Sequence, residues 1–134
     1  MALVHAPTGW DTRTDPDLVR LVLNVAKVRD VWVVQADRTI VQEQDDIDRG
    51  VSHLKDPTDS YHVIVPGVRD LALAVDLAPV IGGKIPWNDR DAFIQLAALV
   101  KCVAQGLSIT PFSWGGDWPH PFDYDHYQKA PAPV

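Results

Sequence analysis

The sequence predicts an α+β domain in which a small, mostly antiparallel sheet is packed with helices. Three observations predict it. Helical spacing of apolar residues appears in segments 14–28, 38–50 and 88–106. Runs rich in β-branched, small or aromatic residues appear at 30–35, 71–79 and 107–114. Between the second helix and the second strand lies an irregular stretch, so the order reads α-β-α-loop-β-α-β-β, with a last strand in the C-terminal segment.

The first helix is "TDPDLVRLVLNVAKV". Thr14 or Asp15 can cap it, Pro16 suits its first turn, and Leu18, Val22, Val25 and Ala26 form its apolar stripe. "DVWVVQ" follows as a short strand. "RTIVQEQDDIDRG" reads as a more polar helix stopped by Gly50. Residues 51–70 carry the breakers Pro57, Pro66 and Gly67. "LALAVDLAP" is a strand interrupted by one charge, Asp76, and "IGGKIPW" is a loop. "NDRDAFIQLAALVKCVAQG" has the clearest helical pattern, with Asn88 and Asp91 as a capping pair and Gly106 as its stop. Its expected buried face is Phe93, Leu96, Ala97, Val100 and Val103. "LSITPFSW" reads as a strand leading into "WGGDWPHPFDYDHYQK", and "APAPV" as a frayed tail.

Composition narrows the function classes. The 134 residues, 46% hydrophobic and 22% charged, suit one globular domain with a single core. A net charge of −6 with scattered Lys and Arg argues against a nucleic-acid footprint. No stretch approaches the roughly 18 apolar residues of a membrane span, and the N-terminus lacks the pattern of a signal peptide. A soluble, cytosolically made chain is the expectation. The single cysteine, Cys102, excludes an internal disulfide and any multi-cysteine zinc site, and its helical context predicts burial.

Three features bear on chemistry. Asp76 breaks an otherwise apolar strand. A buried carboxylate there needs a partner or a metal, although an outward-facing Asp on an edge is an equally simple reading. In "DYDH", Asp123 and His126 would face opposite sides of an ideal strand, so a shared site requires a turn between them; the alternative is a solvated polar turn. His62 lies in "DSYH" at a loop–strand boundary, where an ordinary hydrogen-bonded histidine is common. Together they offer two imidazoles and a carboxylate as metal ligands, plus a spare carboxylate as base. That is the inventory of a catalytic zinc site. No GxSxG, Walker loop or HExxH competes with it.

In the order "DRTIVQEQDDIDRGVS", "SYH", "AVDLAP", "WGGDW" and "DYDHYQ", the chain resembles the zinc-dependent D-Ala-D-Ala carboxypeptidase and L-alanyl-D-glutamate endopeptidase family, which includes many single-domain phage endolysins. The resemblance spans roughly residues 14–129. It implies a Hedgehog/D-Ala-D-Ala peptidase-like fold with Zn2+ at the sheet, held by His62, Asp76 and His126. Asp123 would be the general base, Arg38 a clamp for a substrate carboxylate, and Ser60 a hydrogen-bonding support. The substrate would be the peptide stem of peptidoglycan. The protein would be a monomer, made in the host cytoplasm and acting on the wall after release, without binding nucleic acid or inserting into a membrane. An L-alanyl-D-glutamate endopeptidase is the first expectation and a D-Ala-D-Ala carboxypeptidase or dipeptidase the second. A non-catalytic zinc-containing wall-binding module, or a structural part of a virion, represents a different class.

Two departures from the family pattern stand out. His62 and Asp76 are farther apart than in many members, and the shorter spacing would fall on Arg69, which cannot ligate. Residues 63–70 would then form an inserted loop, with His53 as the alternative ligand. Glu43 occupies the family's usual Gln position, between Gln42 and Gln44. In the "WGGDW" segment the glycines would permit a tight turn. Trp114 and Trp118 would either exclude water from the site or serve as core, and Asp117 would orient a ligand histidine. His120 and Asp125 are off the pattern and read as surface residues.

Overall fold

A computed structural model describes residues 2–119 and 123–133. Its strands are β1 (Leu3–His5), β2 (Val31–Gln35), β3 (Ala74–Pro79), β4 (Ser113–Trp114) and β5 (His126–Gln128), and its helices are α1 (Pro16–Ala26), α2 (Ile40–Asp48) and α3 (Arg90–Gly106). They form an α+β domain with one sheet in the order β1-β2-β3-β5-β4. β1 runs parallel to β2, and the other pairs are antiparallel.

One face of the sheet carries the core. Val31, Val33, Val75, Leu77 and Tyr127 pack there against the apolar sides of α1 and α3. In α1 the residues Leu18, Leu21, Val22 and Val25 are fully buried, each worth about 1.5–3 kcal/mol relative to exposure. Asp15 caps this helix by accepting from Asp17 N at 2.9 Å, and Pro16 fills its first turn. The opposite face of the sheet is roofed by α2 and the irregular segment after it. Successive strand residues point to opposite faces, so Tyr127 lies in the core while His126 and Gln128 point to the other side, beside Asp76.

The ends of the helices differ in part from expectation. Gly50 follows α2 at φ 71°, with Gly50 N bonded to Ile47 O at 3.0 Å and Val51 N to Asp46 O at 2.9 Å. This is the left-handed helix stop expected there. α3 starts at Asp89, whose side chain accepts from Ala92 N at 3.1 Å, and not at an Asn88–Asp91 pair. It also runs through Gly106. The left-handed position falls on Ser108, φ 57°, with Ser108 N bonded to Gln105 O and Ile109 N to Ala104 O. The later stop buries Ile109 in the core.

Three further corrections follow. Of the strand expected over 107–114 only Ser113–Trp114 forms, because residues 107–109 complete the end of α3 and Pro111 has no N–H to donate. Cys102 is exposed: two residues beyond buried Val100, it points away from the stripe facing the sheet. Val103 is only half-buried, and Ala92 and Ala104 complete that stripe instead. β1 carries no apolar alternation; it is held by pairing with β2, by Leu3 packed against the core and by the His5 ring against Trp32.

Candidate active site

The site is assembled from the sheet outward. Antiparallel register sets Asp76 of β3 directly opposite His126 of β5, with Gln35 of β2 on the far side of Asp76. Asp76 therefore interrupts the strand on the face away from α1 and α3. His62 arrives from the irregular segment, where two sets of main-chain bonds hold it. Arg38 N donates to His62 O at 2.8 Å and Ile64 N to Arg38 O at 3.1 Å, while Leu73 N donates to Tyr61 O at 2.8 Å. The extra residues before Asp76 close on themselves in a tight turn, with Val65 and Arg69 paired and Gly67 at φ 78°. Arg69 folds back to donate to Ser60 O at 2.6 Å and Val63 O at 3.1 Å, and its guanidinium lies over the Tyr61 ring. Arg69, at the shorter spacing, is thus a staple for the segment that carries His62.

His62, Asp76 and His126 form a cluster able to hold a metal ion, with one ligand atom from each lying within 4.8 Å of the others. His62 Nε2 is 3.1 Å from Asp76 Oδ1 and 3.2 Å from His126 Nδ1, and His126 Nδ1 is 3.4 Å from Asp76 Oδ1. The outer nitrogens decide what these inner atoms are. His62 Nδ1 is 2.6 Å from Ala36 O, and His126 Nε2 is 2.8 Å from Gln128 Oε1. Both outer partners are acceptors, so each neutral ring carries its proton on the outside and presents a lone pair inward. Three lone-pair atoms then face one another at contact distance, an arrangement that repels itself unless a cation or a proton sits among them. The donor set fits a metal on that ground.

The charges agree. Burial opposes ionisation of Asp76, yet the two imidazoles outweigh it and hold this carboxyl below its ordinary range. Burial likewise pulls the His126 imidazole down, but its hydrogen bond to Asp76 and the Asp76 charge reverse the sign, so it binds a proton more readily than a free histidine.

A cavity of about 560 Å³ opens over the cluster, and Arg38, Ser60, Trp118 and Asp123 contribute to its wall. Asp123 and His126 share it because residues 124–125 form a turn between them, closed by His126 N donating to Asp123 O at 3.2 Å. Gly115 makes that turn fit, since a Cβ there would meet Asp123 O at 2.2 Å. The two tryptophans divide their roles. Trp114 is core, its Nε1 donating to Tyr124 O at 2.8 Å, whereas Trp118 lies against the His126 ring with centroids 5.0 Å apart and lines the cavity.

Arg38 reaches the cavity wall already engaged. Nη1 pairs with Glu43, which is 1% exposed and also accepts from Ser52 Oγ at 2.8 Å, and Nη2 donates to Gln35 Oε1 at 2.5 Å. Ser60 also lines the wall. Its carbonyl accepts from Arg69 and Val63 N, and none of the hydrogen bonds among the described residues runs from its hydroxyl to the cluster. His53 is exposed at the cavity rim and is not part of the cluster. Asp117 turns outward to Lys101 at 2.6 Å and orients neither histidine. Asp125 is half-buried, not a surface residue. Burial, then the Asp76 charge and a hydrogen bond with Asp123, push its carboxyl up to about 9. His120 lies outside the described residues.

Sequence reasoning missed Gln128, the Ala36 carbonyl and the tail. Gln128 had one available signal: it sits two residues after His126, on the same face of a strand. The Ala36 carbonyl has none, because it is main chain. The tail reads as frayed, yet Ala130 is buried and residues 131–133 form part of the cavity wall.

Comparison with known proteins gives a consistent picture. A family model described as phage L-alanyl-D-glutamate peptidase matches residues 11–131. The L-alanyl-D-glutamate peptidase of Escherichia phage T5 is 37% identical over 95 residues, covering 71% of this chain and 64% of that protein. This chain therefore spans a little under two thirds of the length of that relative. Among solved structures, the crystal structure of Serratia marcescens L-Ala D-Glu endopeptidase ChiX matches with a TM-score of 0.72, over 92% of this chain and 88% of that one. At 22% identity that likeness concerns the fold.

Proposed function

The chain belongs to the phage L-alanyl-D-glutamate peptidase family, and on that premise we propose that it is a zinc peptidase of the endolysin type, cleaving the L-alanyl-D-glutamate amide in the peptide stem of bacterial peptidoglycan. One observation carries the reading. Three inward lone pairs, from His62 Nε2, Asp76 Oδ1 and His126 Nδ1, converge beneath a cavity whose wall holds a further carboxylate, Asp123.

A zinc ion held by these three atoms would lower the pKa of its bound water toward about 7 and polarise the scissile carbonyl. The chain's own residues do the rest. Asp123 accepts the water's proton at a carboxylate oxygen and delivers it to the departing amine nitrogen. Trp118 covers His126 and keeps bulk water from that side. Arg38 supplies a fixed positive charge for a carboxylate of the substrate. With Nη1 and Nη2 held by Glu43 and Gln35 and its side chain 14% exposed, it acts as a preset anchor more than a free fork. Ser60 shapes the wall beside His62. The protein would work as a monomer, made in the host cytoplasm and reaching the wall after release. No helix among the described residues is long and apolar enough to cross a membrane.

Digestion of purified peptidoglycan by the zinc-loaded protein, followed by mass spectrometry of the muropeptides, tests the assignment. New peptides beginning at D-Glu are expected. Release of free D-Ala would move the assignment to a carboxypeptidase. Intact muropeptides from several wall types would leave only a wall-binding module.

A further inference from the structure

We propose that Gln128 is a positioning residue of the site, and that the C-terminal tail holds it there. The side-chain amide of Gln128 lies between two groups of opposite demand. Its Nε2 donates to Pro131 O at 2.8 Å, and its Oε1 faces His126 Nε2 at 2.8 Å. A carbonyl oxygen only accepts, so Pro131 fixes which end of the amide is nitrogen. That leaves Oε1 toward the histidine and forces the His126 proton onto Nε2. The lone pair on Nδ1 then points at Asp76 and His62, where the ligand atoms meet. A reversed amide would present N–H to Nε2, drive the proton to Nδ1 and block the ligand atom.

Burial makes this orientation costly to lose. Gln128 is 3% exposed, so its amide cannot exchange either partner for water. The tail is itself fastened, with Ser113 Oγ donating to Ala130 O at 2.9 Å and residues 131–133 seated on the cavity wall. His62 reaches the same tautomeric state through the Ala36 main chain. Of the two imidazoles, only His126 depends on a side chain that can flip.

This inference rests on the metal reading of the cluster, but its first test does not. In metal-free protein, at a pH where the imidazoles are neutral, 15N NMR should find His126 as the Nε2–H tautomer; an Nδ1–H tautomer in the unaltered protein overturns the proposal without any variant having to fold. The second test is zinc affinity by chelator competition. Gln128→Leu should weaken binding about 10- to 100-fold, the usual consequence of losing a ligand's supporting partner. Gln128→Glu, which still accepts from Nε2, should restore most of the loss. A merely structural Gln128 predicts no such rescue, and unchanged affinity and tautomer in Gln128→Leu would refute the role. Removing residues 131–134 should weaken zinc binding several-fold, and full affinity in that truncation would overturn the tail's part. If the intact protein binds no zinc, the metal reading fails, and the tautomer still decides the case for Gln128.

Discussion

Asp123 and His126 depend on opposite properties of one short turn. His126 must sit in the strand, in register with Asp76, while Asp123 must leave the strand to share the cavity. Gly115 permits this by letting the Asp123 main chain approach closer than any side-chain-bearing residue would. The two roles are therefore separable. Asp123→Asn keeps size and backbone but removes the proton acceptor, so zinc affinity should stay within a few-fold while turnover falls about 100- to 10,000-fold. Chelator competition and muropeptide release measure the two quantities on one preparation, and turnover near that of the unaltered protein would exclude Asp123 as the base. Legibility at this scale was uneven. Asp76 announces itself by breaking an apolar strand, but His62 and Asp123 are ordinary loop residues until the fold gathers them. Asp125, which reads as a surface residue, is half-buried beside Asp123.

Among the elements, α2 and α3 end in the same left-handed motif, and only one of the two ends could be read from sequence. α2 places Gly50 at the left-handed position; α3 places Ser108 there and keeps Gly106 as its last helical residue. Propensity points to the glycine, but burial of Ile109 decides the outcome. Ser108→Gly should accordingly stabilise the protein by about 1 kcal/mol in urea unfolding, since the left-handed conformation costs a side-chain-bearing residue roughly that much. No gain would mean that the serine carries no strain. The strand bearing His126 has its own tether: Lys129 Nζ reaches Asp15 at 3.2 Å and Asp17 at 2.9 Å, tying the end of β5 to the start of α1. Lys129, chiefly through its hydrogen bond, depresses the Asp17 carboxyl, and the same contact raises the lysine. A depressed acid stabilises above its unfolded value of about 3.9 and loses that contribution as pH falls through its folded value. A raised lysine loses its contribution as pH climbs past about 10.4. Lys129→Met should therefore cost less than about 1 kcal/mol between pH 5 and 9, because the groups are partly exposed, and the cost should fade as acid protonates Asp17. A cost that persists in acid would show that packing of the lysine stem is responsible instead.

Across the whole molecule, the fold class and five of the strand and helix positions follow from periodicity, because helical and strand spacing are local. What local patterns do not contain is the pairing of β1 or the return of the tail to the cavity. Each is settled by a distant partner: Ala2 O for Val31 N, and Ser113 Oγ for Ala130 O. The metal cluster has the same long-range origin, since its ligands come from the roof, the centre of the sheet and the last strand. The unfolded chain cannot hold that geometry, so metal binding must stabilise the folded state. At a free zinc concentration a thousand times Kd the linkage is about 4 kcal/mol, which for a domain of this size is on the order of 10–20 °C in Tm. Stripping the metal should bring a matching fall. Asp76→Asn replaces the central carboxylate with a weaker donor and removes its charge, so the zinc-dependent rise should largely vanish, while the metal-free melting point should fall, because a carboxylate favoured by the two imidazoles is lost. Differential scanning calorimetry with and without a zinc buffer reads both halves of this prediction. An equal zinc-dependent rise in the variant and the unaltered protein would place the ion somewhere other than between these three side chains.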